Sequence, residues 1–158
     1  MKTIENFLEK NYLQEIKDLH FSNNFPWFFQ DGVNNKGDGS YQFTHVFYNN
    51  ERPNSSNFIN IAPLLNKLPI VKLIRVKSNL LIKSSKIIKH GFHTDFNIKG
   101  GKTAIFYLNT NNGYTIFKNN KKIKSEENKL VIFDCLLEHS GTTCTDTDFR
   151  ALININYT

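Results

Sequence analysis

The chain has 158 residues, 20 Lys and Arg against 14 Asp and Glu, and 39% hydrophobic residues of which a third are aromatic. That composition excludes a disordered chain, and the length suits one domain, residues 1–158, large enough to bury a core without disulfides or structural zinc. No apolar run reaches the length of a membrane span, and the acid-containing start MKTIENFLEKNY is unlike a signal peptide, so a cytoplasmic chain is expected (the host cytoplasm for a viral one).

The net charge of +6 favours anionic partners without identifying one, and part of it reflects a bias toward Asn, Lys and Ile. Two cysteines, Cys135 and Cys144, read as reduced thiols.

In chain order, Ile4, Phe7, Leu8, Leu13, Ile16 and Leu19 recur near the helical period and predict a first helix with Thr3 as its N-cap. An aromatic knot, Phe25 to Phe29, follows, and Gln30 to Ser40 reads as a loop. Tyr41 to Tyr48 alternates as a strand, with Phe43, His45 and Phe47 on one face. Asn49 to Asn57 is a polar loop. Phe58 to Leu68 predicts a second helix that buries Ile61, Leu64, Leu65 and Leu68 and stops at Pro69.

Short β-rich runs then succeed one another: Ile70 to Ile82, Lys102 to Leu108, Tyr114 to Phe117, Lys129 to Phe133 and Phe149 to Tyr157. The fold class is α+β, with helices first and a sandwich or barrel after them.

Among five histidines, His93 stands in His93-Thr94-Asp95. Residues i and i+2 of an extended chain share a face, so both side chains can reach one ion. His139 is placed at the end of a strand spanning Leu130 to Leu137. Two imidazoles and a carboxylate on one face of a metal make the facial triad of non-haem Fe(II) sites, with the other face open. A bare H-x-D is weak alone, since a hydrogen-bonded strand histidine and a capping aspartate give the same pattern.

The C-terminal half supplies more. After His93-Thr94-Asp95 come Thr103-Ala104-Ile105-Phe106-Tyr107-Leu108-Asn109, Asn112-Gly113-Tyr114-Thr115-Ile116-Phe117, Asn128 to Asp134, His139, and Arg150 eleven residues later. This ordered set resembles the Fe(II)/2-oxoglutarate dioxygenases, in their prolyl hydroxylase-like branch. Residues 1–70 look like those of small phage-type members.

The resemblance implies a double-stranded β-helix, or jelly roll, buttressed by the N-terminal helices. It implies Fe(II) on His93, Asp95 and His139, 2-oxoglutarate as co-substrate, and ascorbate as an accessory. It places Arg150 and Tyr107 on the distal carboxylate of 2-oxoglutarate and Tyr114 on the lining of the next strand. Independently of the family, Arg150 opens a strand with Leu152, Asn154 and Asn156 on its face, and a guanidinium so placed wants an anion.

One departure is the strand before H-x-D. The family's tyrosine is missing there, and Arg75, Lys77 and Asn79 alternate instead, with Asn79 assigned to the metal end of the co-substrate. The pair Asn112-Gly113 stands in for a double glycine and still allows a positive-φ turn. His90 is assigned to the surface, His45 to the core or a pocket wall, and Lys118 to Lys124 to a solvated hairpin or a phosphate-contacting loop.

The expected reaction is oxygenation of a peptidyl residue, commonly proline, giving succinate and CO2. A nucleic acid or a small metabolite stands as the alternative substrate, and a non-catalytic jelly-roll binding module as the alternative class. Oligomeric state is not legible in the sequence.

Overall fold

The computed structural model describes residues Met1–Thr158. The elements in order are β1 (Lys2–Ile4), α1 (Lys10–Phe21), β2 (Phe28–Asp31), β3 (Tyr41–Asn49), β4 (Arg52–Pro53), α2 (Phe58–Leu65), β5 (Leu73–Ile82), β6 (Lys102–Tyr107), β7 (Tyr114–Phe117), β8 (Lys122–Lys124), β9 (Leu130–Asp134), β10 (His139–Gly141) and β11 (Phe149–Tyr157).

The large antiparallel sheet has the order β1-β9-β6-β11-β5-β3-β2, with β4 added to β3, and a small sheet of β10-β7-β8 faces it. Single bridges from Lys89 to Thr142 and from His93 to His139 add the H-x-D segment beside β10.

Period-2 alternation makes each face of the large sheet a different surface. On β11, Ala151, Ile153, Ile155 and Tyr157 pack with Phe47, Val76, Ala104 and Phe106 against Leu13 and Ile16 of α1 and Ile61 and Leu64 of α2. The opposite face turns Ile105, Tyr107, Val131, Phe133 and Leu152 toward Phe117 and Ile123 of the small sheet. This is the jelly-roll sandwich with helices on its outer face that the sequence leads one to expect.

Four boundaries differ from the sequence reading. Lys2–Ile4 is an edge strand on β9, with Thr3 opposite Val131, so Thr3 caps nothing. Asn6 has φ 50, which breaks a right-handed helix, and the Asn128 side chain bonds both Leu8 N (2.8 Å) and Leu8 O (2.9 Å), holding the connector extended. The helix begins only at Lys10. The second helix ends at Leu65, before Leu68, and β2 occupies the start of the expected loop.

The strand expected to run to Leu137 stops at Asp134. Its carboxylate accepts from Leu136 N (3.1 Å), an aspartate turn that ends the ladder. His139 therefore opens a strand of the small sheet and does not close one of the large sheet. Both cysteines are buried and free.

His20 lies fully buried between α1 and β5. Ile16 O can only accept, so His20 Nδ1–H donates to it (2.7 Å), and Nε2 accepts from Ser78 Oγ (2.7 Å). Burial pushes this imidazole down to about 4, the Ile16 carbonyl opposing and His45 adding. The folded value lies below the unfolded one, so the unfolded chain takes up the proton first as acid is added. Stability should be lost between about pH 6.5 and 4, by about 3 kcal/mol from this group. Urea unfolding at pH 7 and pH 5 reads the loss, and His20→Gln should flatten it.

Candidate metal centre and ligand cavity

The ladder between the H-x-D segment and β10 sets the spacing of the site. His93 and His139 exchange both backbone hydrogen bonds (3.0 Å each), so their rings stand together with centroids 4.7 Å apart. Each Nδ1 faces a main-chain carbonyl, Gly91 O at 3.4 Å and Leu137 O at 3.2 Å. A carbonyl only accepts, so Nδ1 carries the hydrogen and the Nε2 lone pair is left for a metal. One ligand atom each from His93, Asp95 and His139 lies within 4.8 Å of the others.

Asp95 is held by three donors. Its Oδ1 accepts from Arg75 Nη2 (3.0 Å), and its Oδ2 from Thr103 Oγ1 (3.1 Å) and Asn154 Nδ2 (3.1 Å). Burial pushes the carboxyl up, but His139, Asn154, Arg75 and His93 outweigh it, and the group sits below its ordinary value. Burial pushes the His139 imidazole down, against Asp95 and with His93. The acid is thus ionised and the imidazole neutral, the states that bind a cation. Nitrogen and oxygen donors in this number fit Fe(II) or Mn(II), and the open side faces a cavity.

Arg150 forms the far end of that cavity and is 1% exposed. Its Nε donates to Ser125 Oγ (2.6 Å), Nη2 to Thr115 Oγ1 (3.1 Å) and Nη1 weakly to Thr142 O (3.4 Å). No carboxylate of the chain pairs with it. Burial lowers its affinity for a proton, with Tyr107 and Cys144 opposing.

Gly113 exists for this guanidinium. A Cβ there would lie 2.7 Å from Arg150 Cδ and 2.8 Å from Thr143 O. The residue is dictated by close approach, whereas the sequence reading assigns it to a positive-φ turn, and its φ is ordinary.

Tyr107 is buried beneath Arg150, with its ring 5.6 Å from the guanidinium carbon. Its hydroxyl donates to Thr115 Oγ1 (2.8 Å) and so reaches the cavity only through Thr115. That oxygen accepts from Tyr107 and from Arg150, which leaves its own hydrogen to donate to a ligand.

Tyr114 is not in the cavity. It lies one residue out of register, on the outer side of β7, with Lys122 Nζ over its ring at 4.6 Å. The period-2 pattern of Tyr114-Thr115-Ile116-Phe117 already separates it from Phe117, the core residue that shares Thr115's face.

Asn79 lines the cavity, as do Gln42, Lys77 and Asn154, to which the sequence reading gives no role. A chain of amides fixes Asn79: Gln42 Nε2 donates to Val33 O (3.2 Å), and Asn79 Nδ2 donates to Gln42 Oε1 (2.7 Å). Asn79 Oδ1 and Asn154 Oδ1 then remain buried acceptors without donors. Their signal in the sequence is the polar alternation of Arg75, Lys77 and Asn79 opposite the polar side of β11.

Burial, with Arg75 beside it and Asp95 opposing, pushes the Lys77 ammonium down to about 8. His90, expected on the surface, is buried in the cavity wall because its backbone bonds Gly141 (3.1 Å); burial, Arg150 and His93 push its imidazole down, with Asp38 opposing. His45 stays in the core, on Pro26 O and Ser55 Oγ (2.8 Å each). The lysines of the β7–β8 hairpin lie away from this cavity.

No family profile and no curated protein matches the chain in sequence. Solved structures match it in fold. An oxidoreductase of the 2OG-Fe(II) oxygenase family from Burkholderia pseudomallei superposes with a TM-score of 0.65 at 14% identity, over 98% of this chain and 84% of that one. The fold is therefore that of the 2-oxoglutarate–Fe(II) oxygenases.

Within that fold, a prolyl hydroxylase from Trichoplax adhaerens, solved with a peptide of the hypoxia inducible factor oxygen degradation domain, gives 0.63 at 18% identity over 99% and 82%. The viral collagen prolyl hydroxylase of Paramecium Bursaria Chlorella virus-1 gives 0.56 at 15% over 99% and 89%.

Mn(II), standing in for Fe(II), should bind one to one, and His93→Ala or Asp95→Ala should abolish binding in calorimetry. Because the His139 imidazole holds its proton less tightly than a free one, affinity should persist below the pH at which a free imidazole protonates and fall in more acid solution.

Proposed function

We propose that the chain is an Fe(II)- and 2-oxoglutarate-dependent dioxygenase, a single cytoplasmic domain that hydroxylates a peptidyl residue of the prolyl type, with ascorbate as an accessory reductant. The observation that carries this reading is Arg150. A guanidinium sealed from water with only hydroxyl and carbonyl partners costs several kcal/mol unless an anion joins it. It lies in the same cavity as the His93, Asp95 and His139 cluster, and the distal carboxylate of 2-oxoglutarate supplies such an anion.

His93, Asp95 and His139 would hold the iron. When bound, the metal supplies the redox chemistry that couples decarboxylation of 2-oxoglutarate by dioxygen to hydroxylation, so that one oxygen atom ends in succinate and one in the substrate C–OH, with CO2 released. The chain's own residues do the rest. Arg150 offers the distal carboxylate the N–H donors that Ser125, Thr115 and Thr142 leave free, and Thr115 donates its hydroxyl hydrogen to the same group. Tyr107 orients Thr115 and lies against the cation.

Leu81, Ile105 and Leu152 wall the space between anchor and ligands and exclude water from it. Asp95 stays ionised because Arg75, Thr103 and Asn154 hold it, so no proton competes for the metal near neutral pH.

The peptide bound to the Trichoplax adhaerens neighbour supports a peptide as the substrate class. No helix of the chain is long and apolar enough to cross a membrane.

Calorimetry with Mn(II) and N-oxalylglycine, a non-reacting analogue of 2-oxoglutarate, tests the anchor. Arg150→Ala should weaken the analogue by about 2–5 kcal/mol while Mn(II) affinity holds, and Arg150→Lys should lose less because the charge persists without the fork. Gly113→Ala, which pushes on the Arg150 side chain, should weaken the analogue in the same way. Succinate release in the presence of iron and oxygen, absent in His93→Ala, tests the reaction itself.

A further inference from the structure

The cavity does not end at the metal ligands. Val33, Gln42 and Lys77 also line a second, larger groove that runs outward between β3, β5 and the segment before β3. Of its lining residues only Val33 and Val46 are apolar. This entrance is not built to receive a purely hydrophobic group.

Three cations border the groove: Lys36, Arg75 and Lys77. Lys36 stands in the exposed loop. Arg75 is already committed to Asp95 (3.0 Å) and, through Nε, to Asn156 Oδ1 (3.0 Å). Lys77 is different. It is partly buried, and its Nζ has neither a carboxylate nor a hydrogen-bond acceptor in the chain.

Register fixes where Lys77 stands. Lys77 pairs with Asn154 on β11 and Val46 on β3, and Asn154 donates to Asp95. Lys77 is thus level with the metal ligands, whereas Asn79 is level with Leu152 and Leu81 with Arg150. The anchor for the co-substrate and this second cation are separated by the length of the cavity. A partly desolvated ammonium, less sealed than Arg150, still gains from an anion.

We infer that Lys77 is the substrate-specificity residue of the proposed oxygenase, and that it seats a carboxylate carried by the peptidyl residue presented to the metal. The inference rests on the oxygenase reading and its peptide substrate, and departs from the prolyl side chain in favour of an acidic one.

One neighbouring group completes the match. Asn154, the register partner of Lys77, keeps Oδ1 as a buried acceptor that needs an N–H donor, and a peptide residue offers a main-chain N–H beside its carboxylate.

A phosphate is disfavoured by the same inventory. Of the three cations on the groove, Arg75 is held by Asp95 and Lys36 stands in the exposed loop, which leaves Lys77 alone to face it, and Asp31 lies on the groove. A carboxylate asks for less charge.

The test uses the whole chain with Mn(II) and N-oxalylglycine. The probes are amidated pentapeptide pools, each with one fixed central residue and mixed neutral flanks. The readout is paramagnetic broadening of the peptide protons, which reports binding beside the metal without turnover. Pools centred on aspartate or glutamate should broaden, and those centred on asparagine, glutamine or proline should not.

Lys77→Met should erase the preference, with a loss of roughly tenfold or more in affinity, and Lys77→Arg should retain it. N-oxalylglycine affinity should be unchanged in Lys77→Met. A proline preference, an acidic preference that survives Lys77→Met, or broadening of a single-stranded oligonucleotide in place of the peptides would overturn the inference. So would a Lys77→Met variant that loses N-oxalylglycine, since Lys77 would then serve the co-substrate.

Failure of Mn(II) to bind at all would refute the oxygenase reading alone. Calorimetry of the pools on the metal-free chain would then decide Lys77, with equal affinity for acidic and neutral pools counting against it.

Discussion

A guanidinium that cannot reach water dictates much of this molecule. Arg150 lies where β11 begins, roofed by the small sheet, and every nearby element makes room for it or bonds it. Ser125 and Thr115 give hydroxyl oxygens. Tyr107 offers its ring, and Gly113 withholds a side chain. These groups take up only part of the guanidinium's N–H donors and leave its charge without a counter-ion. A buried cation without an anion destabilises a fold, and it persists where a ligand completes the pair. The sandwich is in that sense unfinished as a polypeptide. Its interior keeps a cation whose counter-charge the chain does not supply, which is where the proposed co-substrate carboxylate belongs.

The second organising fact is the narrow bridge between His93 and His139. Backbone hydrogen bonds in both directions hold the two residues opposite each other, so the ring spacing comes from the ladder and not from side-chain packing. Asp95 is then pulled toward the large sheet by Arg75, Thr103 and Asn154. The three candidate ligands are accordingly tied to both halves of the sandwich, and the proposed metal site is where the two sheets meet.

The two faces of β11 are legible in its alternation alone. Ala151 to Tyr157 on one side and Arg150 to Asn156 on the other are what the fold displays, because period-2 patterning is strong on a long central strand. The H-x-D pair is legible for the same reason. What misleads is local. Ile4, Phe7 and Leu8 mimic a helical period, yet Asn6 in a left-handed conformation and the Asn128 side chain, distant in sequence, hold them extended. Likeness of motif puts Tyr114 on the cavity lining, and a one-residue register difference hands its place to Thr115. His90 looks superfluous because nothing in its surroundings shows that β10 will bury it. Non-local partners decide each case, and no short window of residues contains them.

The amide chain from Val33 through Gln42 to Asn79 carries a consequence for how this architecture can diverge. The segment before β3 touches the cavity through a few side chains and carbonyls, while the proposed iron ligands lie on the H-x-D segment and β10 and the proposed arginine anchor on β11. The chain therefore keeps two inventories apart. One set of residues answers to the cofactor chemistry and tolerates little change. The other is a surface loop whose length and composition can be rewritten so long as Asn34 keeps its bond to the Gly91 carbonyl beside His93. A loop insertion or exchange there re-aims Asn79 and reshapes the mouth, so new substrates become accessible by grafting a single connection while the oxidative machinery is inherited intact.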